Sequence, residues 1–324
     1  MQASDFKGLY AIIPTPAVPG SDALSAKNTI ALDETERLVN NLIRDGADGL
    51  IILGTTGECA TLSAADFRAF VDCVCRTVDK RIPLVVGATA LGGHEVFDRL
   101  SFLKAQGADA TMLGLPMWQP CTLDMAVGFY SDVSEAFPDL PVMVYANARA
   151  FRFSFPTEFW AAVARNAPSV VSAKSSHARD LARNIAETGG RIHFMPSDMV
   201  ANQFFEISPE TTTSCWATAA AMGPEPAKAL IDAINRNDTS EANRLGERIA
   251  WANQPIQPIL ADQEGFASYN IQVEKTRIAE ANYCIPGPVR PPYNHFPENY
   301  AELSRDCGRR WVELRRELSV NLAN

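Results

Sequence analysis

Short apolar runs that read as buried strands alternate with amphipathic stretches of helical period, and this alternation constrains the fold more than any other feature. The strand-like runs cover residues 9–14, 48–53 (DGLIIL), 83–89 (PLVVGAT), 108–114, 141–145 (PVMVY) and 170–174, with weaker ones at 191–195 and 211–215. Helical patterns fall between them. One covers residues 34–45, with Leu38, Val39, Leu42 and Ile43 as its apolar residues. Others run from a Ser63 cap to about residue 79, over 93–106, over 122–136, and onward from Pro156 at a favoured first-turn position. Eight strand–helix units in one order predict an α/β chain folded as a (β/α)8 TIM barrel. A doubly wound open sheet is the alternative, but the first loop after a strand, TPAVPG at 15–20, is no glycine-rich dinucleotide cradle.

After Pro224 the strand signal ends, and helical patterns cover residues 225–235, 240–253, 266–282 and 298–318. The chain therefore divides into a barrel core, 1–224, and a C-terminal helical region, 225–324, that completes and flanks it. Pro286-Gly287-Pro288 and Pro291-Pro292 punctuate the last connection.

With 324 residues, 47% hydrophobic and 21% charged, the chain has ample material for a core. A net charge of −9 and the lack of any basic run remove the electrostatic footprint of a nucleic-acid partner. No apolar stretch approaches a membrane span and no charged-then-apolar signal opens the chain, so a soluble intracellular protein is expected. Seven cysteines, none in a CxxC pair, suit reduced thiols in a cytoplasm rather than a disulfide framework. His94, His177, His193 and His295 lack metal-ligand spacing, so no metal is expected.

The chemistry is carried by three strand ends. Lys174 closes the run SVVSAK and is followed by Ser175 and Ser176. A lysine at the C-terminal mouth of a buried strand is poorly solvated, which disfavours its ammonium form. The neutral amine is a nucleophile able to form a Schiff base with a carbonyl. Most lysines stay exposed, so this reading depends on its neighbours. Gly54-Thr55-Thr56-Gly57-Glu58 follows the second strand. Its two glycines would let the backbone turn sharply, its N–H groups and hydroxyls would bracket a carboxylate, and Glu58 would support the turn from below. Tyr145 ends the fifth strand. All three belong at the face where barrel loops build active sites. Together they describe chemistry on a 2-oxo acid: the lysine captures the keto carbon, the turn holds the carboxylate, and the phenol moves protons.

The order GTTGE, YANARAF at 145–151 and SAKSS at 172–176 resembles the dihydrodipicolinate synthase/N-acetylneuraminate lyase superfamily of Schiff-base aldolases. The resemblance runs from AIIPTP at 11–16 to GPVRPP at 287–292. It implies a (β/α)8 barrel assembled as a homo-oligomer, usually a tetramer. It also implies Lys174 as the Schiff-base residue, Tyr145 as the proton relay, Thr55 and Thr56 for relay and carboxylate binding, and no separate cofactor. YN-x-P and G-x-K are replaced here by Tyr145-Ala146-Asn147-Ala148 and Ser172-Ala173-Lys174, and Pro116-Met117-Trp118 stands where the synthase carries a tyrosine pair. The last of these departures argues against lysine biosynthesis.

GTTGECATL, MLGLPMW, VYANARAFRFSFP, the tryptophan of TSCWATAA and YNIQVEK are similar to one branch, the trans-o-substituted benzylidenepyruvate hydratase-aldolases of aromatic-hydrocarbon breakdown. That branch implies an aryl 2-oxo acid as substrate and pyruvate as product, with Trp216, following strand eight, and Asn270, near a helix start, on the aryl side. Arg149, Arg152, Ser175, Ser176 and His177 lie just past the key residues. If they face the pocket, they favour a 2′-carboxy over a 2′-hydroxy ring substituent. Two other readings stand beside this one: a synthase-like or sugar-acid aldolase or dehydratase, and a non-catalytic barrel that binds a 2-oxo acid.

Overall fold

The computed structural model describes residues 1–321. Eight parallel strands form one sheet: β1 (Gly8–Ile12), β2 (Gly49–Ile52), β3 (Leu84–Gly87), β4 (Ala110–Leu113), β5 (Val142–Tyr145), β6 (Val170–Lys174), β7 (His193–Met195) and β8 (Ser214–Ala217). Neighbours pair in sequence order and β1 also pairs with β8, while β7 meets β8 through the Ser197–Trp216 bridge. The sheet thus curls into the (β/α)8 barrel that the alternation predicts.

The helices of the repeating units are α1 (Leu32–Arg44), α2 (Ala64–Val78), α3 (Gly93–Gln106), α4 (Leu123–Ala136), a single turn α5 (Ala148–Phe151), α6 (Thr157–Asn166), α7 (Leu181–Glu187) and α8 (Ala201–Ile207). Serine and threonine caps act where the pattern placed them. Ser63 Oγ accepts from Asp66 N, and the Thr122 side chain does the same for Met125 N. Pro156 occupies the cap itself rather than the first turn, because α6 begins one residue later.

Side chains from alternate strand positions fill the barrel. Phe6, Tyr10, Ile12, Ile51, Val85, Met112, Met143 and Met195 form the inner cluster, and Phe6 stacks on His193 at 6.0 Å near the barrel's lower end. The opposite strand faces carry Leu9, Leu50, Ile52, Val86 and Val144 into the layer beneath the helices.

The strand expected at 211–215 forms three residues later. Thr211 and Thr212 N–H groups donate to Ser208 O, and Thr212 Oγ1 bonds the same carbonyl, so this threonine run closes a local turn instead of entering the sheet. Trp216 consequently lies within β8 rather than after it.

The C-terminal region comprises α9 (Glu225–Asn235), α10 (Thr239–Asn253), α11 (Gln257–Ala261), α12 (Gln263–Ala281) and α13 (Glu298–Asn321). Asn270 is therefore in the body of a long helix and not at its start. The segment after α12 docks back on the barrel, with Ala17 N donating to Pro286 O at 3.1 Å. Gly287 has φ +67°, and a Cβ there would lie 2.0 Å from Ala17 O, so this close approach admits only glycine.

Candidate active site

At the C-terminal end of the barrel a cleft of about 330 Å³ opens between the strand ends and α12, and Lys174, Tyr145, Thr55, Thr56, Trp216 and Asn270 all line it. The topology brings the first two together directly. Val142 pairs with Val170 but Met143 with Ser172, so β6 carries one extra residue at a bulge. Beyond it Tyr145 and Lys174 are paired across adjacent strands.

Lys174 is 9% exposed. Its Nζ lies 3.3 Å from the centroid of the Trp216 ring and 4.9 Å from that of Tyr145. Burial lowers its pKa to about 7, against the opposing pull of the Glu274 carboxylate. A substantial fraction of the side chain is thus a free amine at neutral pH, the form that attacks a carbonyl. The Trp216 Nε1–H donates to Ser175 O at 3.0 Å, which fixes the indole as a wall beside the lysine. That donor is therefore committed to the backbone.

Tyr145 has its hydroxyl 2.8 Å from Thr55 Oγ1 and accepts from Asn147 Nδ2 at 3.2 Å. The bond between the two hydroxyls can run either way, so the phenol is placed to give a proton to Thr55 or a substrate oxygen or to take one. Phe151 packs edge-on against the Tyr145 ring at 5.4 Å.

The GTTGE turn achieves its shape differently from the sequence expectation. The left-handed residues are Leu53 (φ 60°) and Glu58 (φ 55°), not the glycines. Space requires the glycine at 57, where a Cβ would lie 2.8 Å from Leu53 N, whereas one on Gly54 would crowd only the flexible end of Met112, 3.1 Å away. Such backbone persists only where its surroundings impose it. Here the buried Glu58 carboxylate accepts from Lys275 Nζ (2.9 Å), Arg290 Nη1 (2.6 Å) and Arg290 N (3.0 Å). The C-terminal segment thereby grips the turn that carries Thr55 and Thr56.

The chain matches the Dihydrodipicolinate synthetase family over residues 16–293. It belongs to that family. It is 37% identical over 325 residues to a trans-O-hydroxybenzylidenepyruvate hydratase-aldolase of Pseudomonas putida, covering 98% of this chain and 97% of that protein. It is 36% identical over 325 residues to a trans-2′-carboxybenzalpyruvate hydratase-aldolase of Nocardioides sp. (strain KP7), covering 99% and 97%. A solved structure described as PhdJ bound to substrate intermediate superimposes with a TM-score of 0.93 at 32% identity, over 98% of each chain. This member of the dihydrodipicolinate synthetase family is an enzyme, a lyase.

Among the polar residues flanking the key positions, the structure separates two groups. Arg149 and Ser176 line the cleft. Arg152 instead donates to the carbonyls of Met117 (2.6 Å) and Trp118 (2.8 Å). Ser175 bonds His177 O, and both residues line a neighbouring cavity of about 280 Å³.

Several cleft residues escaped the sequence reading. Asn147 is two residues past Tyr145, a spacing that could have suggested it. Asp198 follows β7 as Lys174 ends β6, so the same strand-end logic would have found it. Its carboxyl is buried with Oδ2 unpartnered, and burial raises its pKa to about 7 against the lowering influence of Arg277. Glu274 pairs with Arg277 at 2.6 Å, and Arg277 also donates to Asn253 Oδ1 at 2.8 Å. These come from helices whose docking no local pattern reveals. Among the described residues no group of His, Cys, Asp and Glu side chains is placed to hold a metal ion, and no helix is long and apolar enough to cross a membrane.

Proposed function

We propose that this protein is a Schiff-base hydratase-aldolase that cleaves an ortho-substituted trans-benzylidenepyruvate to an aromatic aldehyde and pyruvate. The observation that carries the reading is the Lys174 amine, buried against Trp216, on the residue that pairs across the strands with Tyr145, whose hydroxyl bonds Thr55. The named hydratase-aldolases of 36–37% identity support the substrate class.

In the proposed mechanism the Lys174 amine adds to the keto carbon, and loss of water gives an iminium conjugated with the arylidene double bond. Electron withdrawal makes the benzylic carbon electrophilic. Water adds there, its hydroxyl remaining on that carbon while the carbon next to the iminium gains a proton. Tyr145 then takes the hydroxyl proton as the bond between those two carbons breaks. The bonding pair moves into the iminium to form an enamine, and the aromatic aldehyde leaves. Protonation of the enamine and hydrolysis return pyruvate and the free lysine. The protonated imine is the electron sink, so the steps require no metal or further cofactor. Thr55 and Thr56 hold the pyruvoyl carboxylate, Thr55 also keeps the phenol in place, and Asn270 orients water or the new hydroxyl.

Trp216, Phe266, Ile256 and Leu260 form an apolar wall on one part of the cleft, beside its polar residues. This apolar wall suits an aryl group better than the polyol of a sugar acid. A place in aromatic-hydrocarbon breakdown and assembly as a homotetramer belong to the same proposal.

Treatment with pyruvate and sodium borohydride tests the covalent step. A mass increase on Lys174 supports it, and an unmodified lysine rejects it in favour of a binding protein. Loss of the absorbance of a conjugated benzylidenepyruvate, with release of aldehyde, tests the cleavage.

A further inference from the structure

We propose that Arg149 determines specificity, its guanidinium receiving an ortho-carboxylate on the substrate's aryl ring. The inference rests on the hydratase-aldolase reading and narrows it to a dianionic substrate.

The charges around the cleft, taken in turn, leave this side chain available. Arg277 is spent on Glu274 at 2.6 Å and on Asn253. Arg152, three residues beyond Arg149, is spent on two carbonyls outside the cleft lining. Lys174 becomes the iminium, whose charge answers the pyruvoyl carboxylate near Thr55 and Thr56. Arg149 lines the same cleft, yet among the described residues it joins no ion pair. Its guanidinium carbon lies 4.5 Å from the centroid of Phe266, another cleft-lining residue.

Placement is fixed from the catalytic side. Arg149 belongs to the single turn α5, whose first residues are held by Asn147 Oδ1 accepting from Ala150 N at 3.1 Å. The same Asn147 side chain contacts the Tyr145 hydroxyl at 3.2 Å. The cation is thus tied to the proton-transfer group by one residue. Its position over the Phe266 ring sets a planar fork beside an apolar surface, an arrangement matched to a carboxylate attached to an aromatic ring. A hydroxyl at the ortho position would take one hydrogen bond there and leave the charge unanswered, whereas a carboxylate accepts two. Asp198, whose Oδ2 has no hydrogen-bond partner, is an acidic cleft residue that joins no ion pair among the described residues.

The test compares kcat/KM of the full chain for 2′-carboxy-, 2′-hydroxy- and unsubstituted benzylidenepyruvate in wild type, Arg149→Met and Arg149→Lys. The ratio of carboxylated to unsubstituted substrate should fall roughly tenfold to hundredfold in Arg149→Met, the worth of a charged hydrogen-bonded pair. Lysine should restore part of it, since it keeps the charge without the fork. A ratio unchanged by Arg149→Met, in an enzyme that does cleave benzylidenepyruvates, overturns the role of Arg149 alone. Wild-type protein that cleaves none of the three overturns the parent reading and this inference with it.

Discussion

The Nζ of Lys174 lies 3.3 Å from the centroid of the Trp216 ring, closer than to any other aromatic face in the site. The indole therefore has two effects. It excludes water from the amine, and its electron-rich face favours whatever ammonium remains. Burial prevails, since the pKa of Lys174 falls to about 7.

Replacing Lys174 with arginine should abolish cleavage and borohydride trapping together while the fold persists. Arginine keeps the charge but does not deprotonate in the working range. Measurable aldol cleavage by Lys174→Arg would be incompatible with a Schiff base at this position.

The rate of pyruvate imine formation should rise with pH through about 7, because the attacking species is the deprotonated amine and the Lys174 pKa is lowered to that value. At pH 5 nearly all of the side chain is ammonium, and at pH 8.5 nearly all is amine. Initial rates of borohydride trapping across that range give the midpoint. A midpoint near that of free lysine would mean that the amine is solvated.

Tyr145→Phe should lower turnover by about 10²–10⁴-fold, the usual worth of a positioned acid–base group. Trapping of pyruvate on Lys174 should survive. A rate close to wild type would pass the proton-transfer role to Thr55, whose Oγ1 is 2.8 Å from the lost hydroxyl.

Trp216→Ala should impair aryl substrates more than pyruvate trapping, by roughly three- to tenfold in affinity for the lost stacking alone. It should also admit water to Lys174 and move the trapping midpoint to higher pH. Kinetics with benzalpyruvates and the trapping profile measure the two effects separately. An equal loss for aryl substrate and pyruvate would make Trp216 a packing residue.

Glu58→Gln should destabilise the fold by about 3–5 kcal/mol, because it leaves buried Lys275 and Arg290 without their shared anion. The GTTGE turn is held by those contacts, so KM for the 2-oxo acid should rise more than kcat falls. Thermal unfolding and steady-state kinetics report the two effects, and an unaltered Tm would show that the network does not brace the turn.

Periodicity was enough to read the barrel from sequence, because a buried parallel strand and an amphipathic helix each impose a local hydrophobic pattern on their own residues. Lys174 and Tyr145 were legible for the same reason: both stand at the last position of a strand whose end was plain, and barrel sites form at strand ends. The eighth strand was harder, because threonines that favour strands bonded locally to Ser208 instead. Other features depended on contacts between residues distant in the chain. Leu53 and Glu58 take left-handed backbone in a turn anchored by Arg290, 232 residues from Glu58. Arg149 and Arg152 look alike in sequence, but one faces the cleft and the other binds loop carbonyls. Asn270, Glu274 and Arg277 reach the site only because α12 docks across the barrel mouth. Side-chain spacing along a strand or helix is set by local geometry and is written in the sequence, whereas the partner of a buried charge is chosen by the packing of the whole chain.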